Sequence, residues 1–555
     1  MKIKTSIALL SRLLFAATLY LATGQGQAIA QAPTFTHQDT LRGSITPERA
    51  WWDLTYYHLN IAVNPADSSI RGVNTIQYKV LKPQQRMQID LQPPMVLEKV
   101  LQDGKALPVQ QDGNAYFVQL PAQQVGAVNH VEVYYGGKPQ VSVNPPWSGG
   151  LTWRKDANGK PFVASSCQGD GASLWWPCKD HMYDEPDSML ISVQVPKGLM
   201  DVSNGRLRSV EQHPDGSNTF HWFVSNPINN YGVNVNVGDY VHFGEKYQGE
   251  KGALDCDYYV LRNNLEKARS QFKDAGRMLK AFEHWFGPYP FYEDSYKLVE
   301  VPYLGMEHQS SVTYGNGFQN GYLGRDLSNT GWGNKFDYII IHESGHEWFA
   351  NSITYQDIAD MWIHESFTAY SENLFVDYYY GKEASADYVI GTRARIQNDI
   401  PIIGYYSVNN SGSGDMYYKG ANMLHTLRQL VNDDEKWRSI LRGLNKDFYH
   451  QTVTTAQVEN YLSEHIGRNL TPVFDQYLRD VRIPRLEYRA EGNRLFYRWG
   501  NSVDSFAMPV KVLVDGKEQW LEPTTKWQQL QGASKKAKVE ADRNFLVTTA
   551  KVSAT

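Results

Sequence analysis

Cysteine is scarce in this chain. Cys167, Cys178 and Cys256 are the only three among 555 residues, an odd number with no C-x-x-C pair. That excludes a disulfide framework and a cysteine-based zinc site as organising principles. A single Cys167–Cys178 bridge and a set of free buried thiols both stay open. Excess positive charge is also missing: 54 Lys and Arg stand against 59 Asp and Glu, a net charge of −5. A strongly basic nucleic-acid binder is thereby excluded, and no nucleic-acid partner is expected. Beyond the first thirty residues no apolar run approaches the roughly 20 residues that span a bilayer, so no stable membrane span is expected. Internal repeats and low-complexity tracts are absent as well, and 42% apolar with 20% charged residues excludes a disordered chain.

What the chain does have is length and aromatic surface. Its 555 residues are too many for one hydrophobic core, so two to four domains are expected. Fifteen Trp and 35 Tyr fit broad amphipathic surfaces or a carved cleft. At the start, Lys2, Lys4 and Arg12 accompany the apolar run from Leu13 to Ala22, and Ala28-Ile29-Ala30 follows. This pattern is that of a secretory signal peptide over residues 1–30, and it implies an exported protein, periplasmic or secreted.

From Trp51 to about Tyr240, apolar residues alternate with polar ones, as in Leu59/Ile61/Val63, Val131/Val133, Ile191/Val193/Val195 and Val233/Val235/Val237. Turn residues punctuate the alternation at Asn64-Pro65, Asp112-Gly113, Gly136-Gly137 and Asp215-Gly216. Half-buried strands are predicted. The period lengthens near Leu261, and helices are predicted over Leu265–Phe286, Phe336–Ile353, Ile358–Tyr380, Gly420–Val431, Ala456–Ile466 and Pro472–Val481. After Pro484 alternation returns in Leu486–Arg498, Pro509–Val514 and Gln519–Leu521, with Asp515-Gly516 as a two-residue hairpin turn.

Chemistry enters at His342-Glu343-Ser344-Gly345-His346. Two histidines four apart lie on one helix face and can meet one ion, which is the H-E-x-x-H zinc pattern. Glu343, about 100° round the helix, reaches a water at the metal without being a ligand and is the natural general base. Zinc needs a third ligand and an open position. Glu365, eighteen residues past His346 on the next predicted helix, can return to the pair if the two helices are antiparallel. His364 points about a third of a turn away and reads as a packing or supporting group.

The run His342 to His346, then Trp348-Phe349-Ala350-Asn351, then Asp360 to Phe367, resembles the zinc core of the gluzincin aminopeptidases, the family of aminopeptidase N and leukotriene hydrolase. Leu304-Gly305-Met306-Glu307-His308 resembles that family's Gly-x-Met-Glu-Asn motif, with Leu304 and His308 departing from it. Ser165-Ser166-Cys167-Gln168 resembles its Gln-x-Glu loop, with Gln168 in place of the Glu of aminopeptidase N relatives. Tyr417-Tyr418-Lys419-Gly420 resembles its Tyr-x-Lys-Gly motif. The resemblance implies one zinc per chain on His342, His346 and Glu365, with Glu343 and Tyr417 catalytic. It also implies that Glu307, Gln168, Gly305 and Met306 bind the substrate. After the signal peptide (1–30), the fold it implies is multidomain α+β: an N-terminal β saddle domain (31–245), a thermolysin-like α/β catalytic domain (246–484) and a short C-terminal β-sandwich (485–555). The activity it implies is release of N-terminal residues from peptides with a free N-terminus. The rival readings are an endopeptidase or epoxide-type hydrolase on the same zinc centre and a non-catalytic peptide-binding relative. Trp175 and Trp176 either line the first pocket or pack between domains, and packing is the expectation.

Overall fold

The computed structural model describes residues 33–534 and 536–553, so the signal-peptide reading lies outside the described residues. The N-terminal half is β. Its largest sheet has eight strands in the order 206–212, 218–224, 188–195, 52–64, 69–80, 128–137, 96–102 and 105–106. Trp52–Asn64 pairs antiparallel with Ser69–Val80 and parallel with Ser188–Val195. The alternation read at Leu59, Ile61 and Val63 is the buried face of the first of these strands. Gly136-Gly137 is not a turn; both residues end the strand Val128–Gly137. Trp175 and Trp176 are fully buried and packed on each other, and Tyr57 meets Trp176 edge-on at 5.1 Å. All three cysteines are free and buried.

A five-stranded sheet begins the second half, in the order 240–249, 252–261, 296–300, 312–314 and 305–306. Its first strand, Tyr240–Gly249, runs across residue 245, where the sequence places a domain boundary. Three helices stack beside it: α1 (Lys273–Phe286), α2 (Tyr338–Gly345) and α3 (Trp362–Tyr380). Two more follow, α4 (Tyr418–Val431) and α5 (Asp434–Asp447).

Several boundaries differ from the sequence pattern for physical reasons. The expected helix over Leu265–Phe286 breaks at Phe272 into Leu265–Gln271 and α1. The expected helix over Phe336–Ile353 is the much shorter α2. After Gly345 the chain opens into a wide turn in which the N–H groups of Asn351, Ser352 and Ile353 reach back five residues to His346, Glu347 and Trp348, and Ala350 takes φ 156°. Apolar spacing continues through Trp348 and Phe349, but these side chains fill the core under the turn rather than a helix face. Helix α5, capped by Asp433, and the helix Lys382–Gly391 were absent from the sequence reading. Leu486–Arg498 resolves into two antiparallel strands, Arg485–Glu491 and Arg494–Gly500, joined through Gly492 at φ 62°. The Asp515-Gly516 hairpin forms as expected, with both residues at positive φ between Val510–Val514 and Lys517–Leu521.

Candidate metal centre

Helix α2 is buried along its whole length, and Asp337 caps it by accepting from the N–H groups of Ile339 and Ile340. The same carboxylate accepts from Tyr314, Asn316 and Gln271, so the helix start is tied to the neighbouring sheet and to Leu265–Gln271. His342 lies in the last turn and His346 at the C-cap, where φ −65° and ψ −17° still continue the helical path. Glu365 lies in the first turn of α3, where a carboxylate is favoured by the helix dipole.

Close approach of α2 and α3 depends on Gly345. A β-carbon there would sit 2.5 Å from Ser371 Oγ and 3.1 Å from Thr368 Cγ2. With that gap closed, Glu365 Oε2 stands 3.4 Å from His346 Nε2 and 3.7 Å from His342 Nε2. The Nδ1 atoms are committed elsewhere. His342 Nδ1 donates to Glu372 Oε1 at 2.7 Å, and His346 Nδ1 lies 3.0 Å from both the Phe349 carbonyl and Thr368 Oγ1. With Nδ1 committed in each ring, Nε2 is the atom turned toward Glu365.

The donor set fits a zinc ion. Glu365 Oε2 is buried and has no hydrogen-bond partner, and three ligand atoms of the residue types zinc favours lie within 4.8 Å of one another. Electrostatics point the same way. Burial alone would pull both imidazoles toward the neutral form, yet Glu365 with Glu372 or Glu307 overrides it, raising His342 well above the usual range and His346 to about 9. Burial would likewise raise Glu365, but the two histidines hold it low. Burial raises Glu343 to about 7, opposed by His342 and reinforced by Glu307. A site with this many buried carboxylates calls for added positive charge.

The structure brings every sequence-predicted residue to one cavity of about 280 Å³: Gln168, Gly305, Met306, Glu307, His342, Glu343, His346, Glu365 and Tyr417 all line it. Gly305 and Met306 form a short edge strand against Val312–Tyr314. A β-carbon on Gly305 would meet Ile339 Cγ2 at 2.5 Å and Glu343 Cγ at 3.3 Å, so glycine lets this strand lie directly on α2. Glu307, a residue later, is buried; its Oε1 accepts from Tyr231 at 3.2 Å and from the Gln168 amide, while Asn351 holds its backbone carbonyl at 2.9 Å. Gln168 Nε2 also donates to Glu365 Oε1 at 3.1 Å, which leaves Gln168 Oε1 as a free acceptor. Tyr417 precedes α4, and its ring stacks on His342 at 6.0 Å. Burial, then Glu365, Glu307 and Glu343, push its phenol well above the ordinary value, so it is a proton donor. Gly420 makes this placement feasible: a β-carbon would fall 1.9 Å from Ser366 Oγ, which itself donates to the Met416 carbonyl at 2.6 Å.

The His308 departure from the motif is accommodated. His308 is buried with Nδ1 3.2 Å from Thr313 Oγ1, and burial lowers it to about 3, so it is neutral. His364 accepts from the Tyr355 N–H at 3.0 Å and stacks on that ring, a packing role.

Comparison with known proteins agrees with the centre. Residues 271–477 match the model of the peptidase family M1 domain. Among curated relatives, the chain is similar to leukotriene A-4 hydrolase of Xenopus laevis, 26% identical over 342 residues that cover 58% of this chain and 53% of that protein. It is also similar to leucyl aminopeptidase of Saccharolobus solfataricus, 21% identical over 363 residues, covering 61% and 45%. The chain thus spans about half the length of these relatives. The M1 zinc metallopeptidase of Deinococcus radiodurans shares the fold, with a TM-score of 0.65 at 21% identity over 77% of this chain and 92% of that one. A mutant of that protein bound to a Tyr-Ser-Ala substrate superposes equally well, at 20% identity over 79% and 96%.

The M1 motifs do not single out every group at the centre. Glu372 and Thr368 orient the histidines from the same face of α3 as Glu365, at helical spacing that could have been followed along that helix. Tyr231, Trp147, Met361 and Met416 also contact Glu307 or line the cavity, and nothing in their local sequence marks them.

Proposed function

We propose that the chain is an exported zinc aminopeptidase. The observation that carries this reading is Glu307, a buried carboxylate held by Gln168 and Tyr231, with one oxygen inside a 4.8 Å cluster that also includes Glu343 and His346. A buried carboxylate so close to other acids needs a cation, and a substrate's α-ammonium is one. Gln168 Oε1 accepts a second hydrogen bond from that ammonium. Anchoring the first amine positions only the first peptide bond over the centre.

His342, His346 and Glu365 would hold zinc, which supplies a Lewis acid for the scissile carbonyl and for water. Glu343 takes the proton from the attacking water and passes it to the leaving amine. The Tyr417 phenol donates to the oxygen that gains negative charge as the carbonyl becomes tetrahedral. Pro146, Trp147, Met306, Met361 and Met416 give part of the cavity wall an apolar surface, beside Ser411, Gly412 and Gly414, and that part supports substrates with an uncharged, apolar first residue. Among the described residues no helix is long and apolar enough to cross a membrane; the leader pattern of residues 1–30 is the support for export.

Metal analysis of the purified chain tests the reading, with release of 4-nitroaniline from L-leucine 4-nitroanilide measured on the same sample. The expected result is about one zinc per chain and activity that Glu343→Gln abolishes while zinc is retained. Full activity in Glu343→Gln would refute the assignment of the base.

A further inference from the structure

The catalytic cavity is not the largest one among the described residues. A second cavity, of about 570 Å³ against 280 Å³, opens between α5, the end of α1 and the turn after α2. Phe286, Pro288, Trp348 and Tyr449 give it apolar walls. Asn445, only 7% exposed, closes its inner side, with Nδ2 donating to the Leu441 carbonyl at 3.0 Å. Two exposed lysines, Lys251 and Lys446, line the mouth, and neither forms an ion pair among the described residues; the Lys251 ammonium lies 4.9 Å from the Tyr449 ring. The nearby Glu250 carboxylate is neutralised by Arg442, which donates to both of its oxygens at 2.8–2.9 Å. Among the described residues the mouth therefore carries two unpaired ammonium groups beside an apolar wall.

We infer that this cavity is a binding site for an apolar amino-acid residue bearing a free α-carboxylate. The carboxylate meets Lys251 and Lys446, and the side chain covers Phe286, Pro288 and Tyr449. A free amino acid and the carboxyl end of a peptide share this chemistry. The site is distinct from the catalytic cavity, which recognises the opposite, amino end of its substrate, and it stands whether or not the peptidase reading does. Trp348, two residues after His346, lines this cavity, and its indole N–H donates to the Gly287 carbonyl at 3.1 Å.

Ligand-observed NMR titrations of the full chain test this with N-acetyl-L-phenylalanine, L-phenylalanine and N-acetyl-L-phenylalaninamide. The acetylated acid has no amine for Glu307 to hold, so its binding reports on this cavity. The expected result is saturable binding of the acetylated acid, none of the amide, and at least about tenfold weaker binding in the Lys251→Ala/Lys446→Ala variant, whose altered residues are exposed and outside the core. If L-phenylalanine alone binds, and that binding is weakened by the lysine replacements, the free amino acid is the ligand. If the acetylated acid binds too, the end of a peptide qualifies. Absence of saturable binding for both acids, equal binding of the amide, or binding indifferent to the two lysines would overturn the inference. Ser439→Trp, at an exposed position lining the cavity, gives a second check, since filling the space must also abolish binding.

Discussion

Glu307, Glu343 and Glu365 share one cavity, and the groups around each carboxylate give it a different task. Glu365 faces two imidazoles and is held ionised; Glu343 faces open space beside them; Glu307 is held from behind by Gln168, Tyr231 and the backbone tie of Asn351. Replacing Glu307 by Gln keeps its size and removes the charge that would pair with a substrate amine. We expect kcat/KM on aminoacyl anilides to fall at least ~100-fold, equivalent to about 2.7 kcal/mol, with zinc content unchanged. Tyr417→Phe removes one donor and keeps the ring on His342, so kcat should fall by about 10²–10³ with little change in KM, as steady-state kinetics would show. At this scale the sequence is most legible for the ligands and the base, because His342, Glu343 and His346 are set by helix geometry alone. Glu307 and Tyr417 gain meaning only from their motifs. Tyr231 and Trp147 come from distant strands and loops, and no local pattern announces which side chains a fold will bring to a cavity.

Helices α2 and α3 are the elements on which the centre stands, and their separation is set by one glycine. Gly345→Ala places a methyl 2.5 Å from Ser371 Oγ and 3.1 Å from Thr368 Cγ2; rotating the Ser371 hydroxyl relieves only the first contact, so α3 is pushed outward with Glu365 and Glu372. Chelator competition should show zinc affinity weakened by about 10–100-fold, and Ser371→Ala in the same chain should recover part of that loss. An unchanged affinity would mean that the helices adjust without moving the ligands. The sequence shows α3 clearly, since Ile358 to Tyr380 reads as a long helix closing on Gly381, although its first residues, Ile358–Asp360, form a separate tight turn. It overextends α2, because apolar residues that pack beneath a wide turn keep the same spacing as those on a helix face. It misses α5, although Asp433 caps it and its apolar stripe of Trp437, Ile440, Leu441 and Leu444 is buried. The short strand Gly305–Met306 is equally invisible in the pattern, since two residues carry no periodicity; only the motif places it beside the metal centre.

Across the whole molecule, buried polar contacts join regions far apart in sequence and make stability depend on pH. His425 on α4 is buried, with Nε2 2.9 Å from Asn544 Oδ1 in the C-terminal β region. Burial lowers its pKa to about 3, with Arg428 and Arg393 adding to the effect. Its ordinary value is near 6.5, so unfolding below that pH takes up a proton that the folded chain refuses. The contribution of neutral His425 is therefore present above about pH 6.5 and lost as the pH falls. Between pH 7.5 and 5.5 the stability gap between wild type and His425→Gln should shift by about 1.4 kcal/mol against the wild type, as denaturant unfolding at the two pH values would show. An unchanged gap would mean that the imidazole is hydrated in the folded state. The β-rich first half, the helical centre and the closing β region are all legible as changes of hydrophobic period. Their exact junctions are not, because the strand Tyr240–Gly249 belongs to the sheet beside the helices while keeping the alternation of the strands before it.

The central claim is that a zinc centre and a carboxylate anchor for the amine act together. The most direct measurement compares kcat/KM of the purified chain for L-leucine 4-nitroanilide and for its N-acetylated form. The account predicts turnover of the free amine and a rate for the acetylated compound at least ~10³-fold lower, about 4 kcal/mol of anchoring lost. Comparable rates on the two would contradict it, because Glu307 would then not be holding the substrate.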